Sequence, residues 1–153
     1  MAVLKYLRSS VLGVCLGLGL AGWTAQAVAG PPSADEVNLT GTWVGEYSPM
    51  PGAPVQRFLT TRKADGTFTL IARMYETGKT PSELVNTGIW GVSNGMYFTV
   101  TATVNGTPTN TRNPETISPY LVRDMQKDSF TYQHVLTGVL LKATRVAPDT
   151  KLP

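Results

Sequence analysis

Gly91-Val92-Ser93-Asn94-Gly95-Met96-Tyr97-Phe98-Thr99-Val100-Thr101-Ala102-Thr103-Val104 joins a tight-turn dipeptide to a run of strict alternation. Met96, Phe98, Val100, Ala102 and Val104 make an apolar stripe, and Tyr97, Thr99, Thr101 and Thr103 make the opposite one. Side chains of a strand point to its two faces in turn, so a period of two in Thr, Val, Tyr and Phe predicts β-structure. The passage also spells G-x-S-x-G, which in α/β-hydrolases sets a nucleophilic serine on a strand-to-helix elbow. Here a strand follows Gly95, and Asn94-Gly95 has sufficient employment as a hairpin turn. Ser93 is therefore read as a turn residue.

The same alternation runs outward in both directions. Strands are expected at 41–48, 55–62, 67–76, 83–92, 96–104, 119–126, 129–135 and 139–146. In the first, Trp43, Gly45 and Tyr47 share a face; in the third, Phe68, Leu70, Ala72 and Met74 do. The second and fourth carry apolar residues on both faces, so their inward side stays open. Lys63-Ala64-Asp65-Gly66 and Ser93-Asn94-Gly95 read as tight hairpins. Connections at one end (63–66, 93–95, 127–128) are all short. At the other end three of the four connections, 48–54, 76–82 and 105–118, are long and rich in Pro, Gly, Thr or Asn, and 136–138 is short. That asymmetry predicts an all-β, eight-stranded antiparallel up-and-down barrel in meander order, closed at one end and open at the other. Closure removes the sheet edges that invite aggregation, and eight strands enclose room for packed side chains or one small ligand.

Residues 1–29 read as a cleavable signal peptide. Lys5 and Arg8 make a basic start, 11–21 is apolar, and Ala25-Gln26-Ala27 and Ala27-Val28-Ala29 are overlapping small-x-small cleavage sites. The apolar run falls short of the roughly 20 residues that span a bilayer, so no stable membrane anchor is expected. The expected location is the periplasm or the medium. Residues 30–38 form a Pro-rich linker, 39–147 the barrel and 148–153 a tail. The chain has 13 basic and 10 acidic residues, a net charge of +3, and one Cys. Removing Lys5 and Arg8 leaves 11 basic residues and a charge near +1, and Cys15 departs with them. Nucleic acid is not an expected partner of so neutral a domain.

Gly41-Thr42-Trp43 opens the first strand, and the last ends in Thr144-Arg145-Val146. This pairing resembles the G-x-W signature of lipocalins and related calycin barrels. The resemblance implies that Arg145 packs across Trp43 at the closed end, with Gly41, Trp43 and Arg145 as barrel-closing residues. No T-D-Y-like segment is present, and too little chain follows Val146 for the family's C-terminal helix, so a short form is implied. Leu39-Thr40-Gly41-Thr42-Trp43 with Ala64-Asp65-Gly66 also resembles avidin-type barrels, more weakly, because two tryptophans remain after the signal.

The expected function is non-enzymatic binding of a small, mostly apolar ligand at the open end. Tyr47, Phe68, Met74, Trp90, Phe98, Tyr132 and His134 are the candidate lining residues. One histidine builds no multi-histidine metal site. It could serve as an axial haem ligand, as in some calycin-like haem barrels, but a histidine satisfied within the wall is the commoner case. No cofactor, metal or catalytic set is expected. Glu46 and Glu76 approach the mouth and read as solvated carboxylates. The alternative is a protein-interaction module, an inhibitor or envelope adaptor, using loop 105–118 on a filled barrel.

Overall fold

The computed structural model describes residues 38–48 and 53–153. The signal and linker readings, and most of the Pro-rich mouth loop after the first strand, lie outside the described residues. The strands are β1 (Gly41–Tyr47), β2 (Val55–Arg62), β3 (Thr67–Tyr75), β4 (Ser82–Ser93), β5 (Met96–Val104), the short β6 (Thr107–Pro108), β7 (Ile117–Met125), β8 (Ser129–His134) and β9 (Leu140–Val146). All pairings are antiparallel. β1 to β5 pair in sequence, β5 pairs with β7, β7 with β8, β8 with β9, and β9 returns to β1. Eight strands thus close into an up-and-down barrel, and β6 folds back onto the end of β5.

The hairpins form where the sequence marks them. Asn94 (φ 51°) and Gly95 (φ 74°) both take left-handed backbone, as a two-residue turn matching the strand twist requires. Asn105 (φ 49°) and Gly106 (φ 78°) repeat that geometry and make the β5–β6 hairpin, which the reading of 105–118 as one long loop missed. Asn105 ties this hairpin to β4: its Oδ1 accepts the Val85 N–H at 2.8 Å, and its own N–H donates to the Val85 carbonyl at 2.7 Å.

Trp43 and Arg145 meet at the end of the barrel where β1 begins and β9 ends. Trp43 is fully buried and its Nε1–H donates to the Leu39 carbonyl at 2.9 Å. The Arg145 guanidinium lies 4.3 Å from the Trp43 ring centroid. It donates to the carbonyls of Thr40 (2.6 Å), Lys127 (3.1 Å) and Asn38, and stands 3.5 Å from Asp128. Gly41 has φ +112°, and a Cβ there would come within 2.8 Å of the Arg145 Nη1. Its backbone angle favours glycine here, and any side chain would also have to push the end of the arginine aside.

The C-terminal segment folds back on the outer wall. Leu152 is buried, Arg73 Nη1 donates to the Leu152 and Pro153 carbonyls at 2.7 Å, and the Tyr75 hydroxyl donates to Pro153 at 2.5 Å.

Candidate functional site

Strand register decides which side chains enter the barrel. Trp43, Phe58, Phe68, Ala72, Trp90, Tyr97, Phe130, Tyr132 and Ala143 are buried in one cluster. Tyr97 is 3% exposed and Thr99 8%, so β5 turns its Tyr/Thr stripe inward. Phe98 accordingly lies on the outer wall, where its ring covers Gly91; a Cβ on Gly91 would stand 2.7 Å from the Phe98 Cζ. The expectation that Phe98 lines the interior is overturned. The reason is what β5 meets inside: the guanidinium of Arg62, 2% exposed.

Arg62 ends β2, paired with Gly41 on one side and Phe68 on the other. Its Nε and Nη2 donate to one acceptor, the Tyr97 hydroxyl oxygen, at 3.1 and 3.0 Å. The guanidinium carbon lies 4.7 Å from the Tyr97 centroid and 5.8 Å from that of Phe130. Its Nη1 is buried without a hydrogen-bond partner, as is Asn86 Oδ1. The acids that form ion pairs among the described residues do so elsewhere: Glu46 with Arg57, Glu83 with Arg73, Glu76 with Lys79 and Asp128 with Arg145. Glu46 and Glu76 are thus engaged with cations on the surface and do not face each other as an acid–base pair.

Arg62 and Asn86 line one small chamber, of about 100 Å³, with Thr60, Phe68, Leu70, Tyr97, Thr99, Thr101, Ser118, Tyr120 and Tyr132. A larger pocket of about 350 Å³ opens at the end marked by the β8–β9 turn. Phe58, Leu70, Val139 and Leu141 give it apolar walls, Tyr47, Tyr120 and Tyr132 contribute rings, and Gln56, His134 and Thr137 add polar groups. Leu70, Tyr120 and Tyr132 line both spaces and so stand between them.

Aromatic rings run from the floor toward the mouth. Phe130 meets Trp43 edge-on at 6.3 Å and stacks on Tyr132 at 4.5 Å; Tyr132 meets Tyr120 at 5.1 Å, and Tyr120 meets His134 at 5.1 Å. Burial holds the Tyr132 hydroxyl far above the ordinary tyrosine range, against a smaller opposing pull from Arg62. Burial, then the neighbouring Tyr97, raises Tyr120 as well. Both therefore stay neutral and able to donate a hydrogen bond at physiological pH.

Of the sequence-selected residues, Tyr47, Tyr132 and His134 line the mouth pocket, and Phe68 and Tyr132 line the chamber. Met74, 36% exposed, borders neither space. Trp90 is buried and donates its Nε1–H to the Lys63 carbonyl at 3.1 Å, in the wall beside the 63–66 turn. His134 is held by its own hairpin, where its Nδ1 accepts the Thr137 N–H at 3.2 Å. Ser93 is exposed at the end of β4, at the opposite end of the barrel from His134. Among the described residues no group of three or more His, Cys, Asp or Glu could hold a metal ion, and no helix is long and apolar enough to cross a membrane.

Arg62, Asn86, Tyr97 and Tyr120 are absent from the sequence-based set. The turn read from the sequence, 63–66, would set Arg62 opposite Thr67; the structure instead pairs Arg62 with Phe68, and cross-strand partners share a face. Once Phe68 is inside, Arg62 is inside.

The fold and site together define an eight-stranded antiparallel barrel with one plugged end, an open pocket and a buried cation. No protein-family model matches the sequence, and no curated protein matches it.

Proposed function

We propose that this is an exported, non-enzymatic, lipocalin-like barrel that binds a small, mostly apolar molecule at its open end. The observation that carries the reading is the mouth pocket, about 350 Å³ and walled by Phe58, Leu70, Val139, Leu141 and three tyrosines. Small-molecule sites are concave, mostly apolar, and begin at about 300 Å³. Lipocalin-like membership is supported by the Gly41-Thr42-Trp43 motif under Arg145, and export by the composition of residues 1–29.

A neutral fluorescent probe, N-phenyl-1-naphthylamine, tests the binding reading. It should brighten in the protein and saturate at one equivalent, and Leu70→Trp, which fills the space between pocket and chamber, should weaken it at least tenfold. No saturable enhancement with the folded wild-type protein would remove the reading.

A second reading, a protein-interaction module, draws on a different face. Ile89, Val100 and Ile117 pair in one row across the outer wall of β4, β5 and β7, with Ile89 54% and Ile117 40% exposed. Ile117 of this row lies within segment 105–118. Under this reading Ile89→Lys would abolish capture of a protein partner while the neutral probe still binds; probe binding with no partner captured would favour the first reading.

A further inference from the structure

Arg62 raises a question that the mouth pocket does not answer. A guanidinium is charged at every physiological pH and presents five N–H donors in a planar fork. Arg62 is 2% exposed, yet its Nε and Nη2 converge on the single oxygen of Tyr97 and its Nη1 has no partner. Buried charges are ordinarily paired with an opposite charge, because the interior solvates them poorly. The rings of Tyr97 and Phe130 offset part of this, at 4.7 and 5.8 Å, but ring faces carry no net charge and fill no N–H.

Apart from Phe68 and Leu70, the chamber that Arg62 lines is polar, neutral and rich in hydroxyls. Thr60, Thr99, Thr101 and Ser118 line the chamber, as do Tyr120 and Tyr132, which burial keeps protonated. Asn86 contributes a second unpartnered atom, and rotation of its amide exchanges that acceptor for an N–H donor. One cation with surrounding donors and no carboxylate is a receptor for an anion. At about 100 Å³ the chamber holds a group the size of a carboxylate with little to spare, and its boundary with the mouth pocket is the apolar and aromatic trio Leu70, Tyr120 and Tyr132.

We infer that the ligand is an amphiphilic monocarboxylate, seated head-first with its carboxylate on Arg62 and its apolar body in the mouth pocket. This rests on the proposed binding function and names its ligand class. The carboxylate accepts from Arg62 Nη1 and from the chamber hydroxyls, and so supplies the opposite charge that the fold withholds. Water also fits the chamber and fills hydrogen bonds, but it leaves the charge uncompensated; the carboxylate displaces it.

Calorimetric titration with dodecanoate and with 1-dodecanol separates the head group from the tail. The wild-type protein should bind dodecanoate at least tenfold more tightly than dodecanol, and Arg62→Met should erase the preference mainly by weakening dodecanoate. Tyr97→Phe removes the hydroxyl that holds Arg62 and should reduce the preference while the guanidinium remains. Equal binding of both compounds by the wild type would overturn the carboxylate assignment and leave the apolar pocket standing. Binding of neither would overturn both readings. Should Arg62→Met fail to fold, the wild-type comparison alone decides.

Discussion

Arg145 and Arg62 each hold a guanidinium against an aromatic ring, 4.3 Å from the Trp43 centroid and 4.7 Å from that of Tyr97. Around Arg145 the chain has gathered three backbone carbonyls and a carboxylate, and the arginine reaches solvent through the end of the barrel. Around Arg62 it has gathered phenols, with Tyr97 as the hydrogen-bond acceptor and Tyr132 beside it, and no acid, with the charge in the interior. The first arrangement is complete and ties β9, the segment before β1 and the 127–128 turn into a floor. The second is incomplete in the way a binding site is incomplete. Each pairs the same cation with an aromatic ring; the remaining acceptors separate a structural arginine from a receptive one.

If the floor carries the stability of the fold, removing its ring should have the largest effect. Trp43→Ala leaves a cavity in a fully buried position and should destabilise by about 3–5 kcal/mol, read from the urea midpoint. Arg145→Ala removes the stacked cation and its carbonyl partners while solvent reaches part of the gap, so about 2 kcal/mol is expected by the same measurement. Values near zero for both would mean that the floor is ornamental to the barrel.

Alkaline titration sharpens the contrast from the chamber side. Tyr132 and Tyr120 have folded-state pKa values above the unfolded value of 10.0, because burial disfavours the phenolate. The folded state therefore retains protons that the unfolded state releases. Stability should be full below about pH 10 and fall above it, by about 1.4 kcal/mol per pH unit for each such tyrosine. Urea midpoints across pH 9–11 check the slope, and Tyr132→Phe should flatten it.

The smallest expected effect on stability belongs to Arg62→Met. Replacing an uncompensated buried charge with an apolar side chain of similar length should leave the unfolding free energy unchanged or raise it by about 1 kcal/mol. A loss comparable to that of Arg145→Ala would place Arg62 among the structural residues and end the contrast.

Much of this fold is legible in the sequence because its signals are local. Asp65-Gly66 and Asn94-Gly95 set the hairpins, alternation sets the strands, and Gly41-Thr42-Trp43 with Arg145 marks the floor. Asn105-Gly106 was equally legible but lay inside a polar stretch with only the two residues of β6 beyond it. The site was less legible because hydrophobicity sorts inside from outside only where the inside is apolar. β3 obeys the rule, burying Phe68 and Ala72. β5 breaks it, because its inward stripe lines a polar chamber and its outward stripe packs Phe98 over Gly91. Strand register carries the missing information, since it transfers the known face of Phe68 to Arg62 and, through the barrel, to Tyr97.

Carbon-13 NMR of carboxyl-labelled dodecanoate bound to the protein tests the contrast most directly. With the head group on Arg62, a distinct bound resonance should stay ionised from pH 7 down to pH 4, and Arg62→Met should restore an ordinary carboxyl titration. A bound resonance that titrates like a solvent-exposed carboxylate, unchanged by Arg62→Met, would contradict the account.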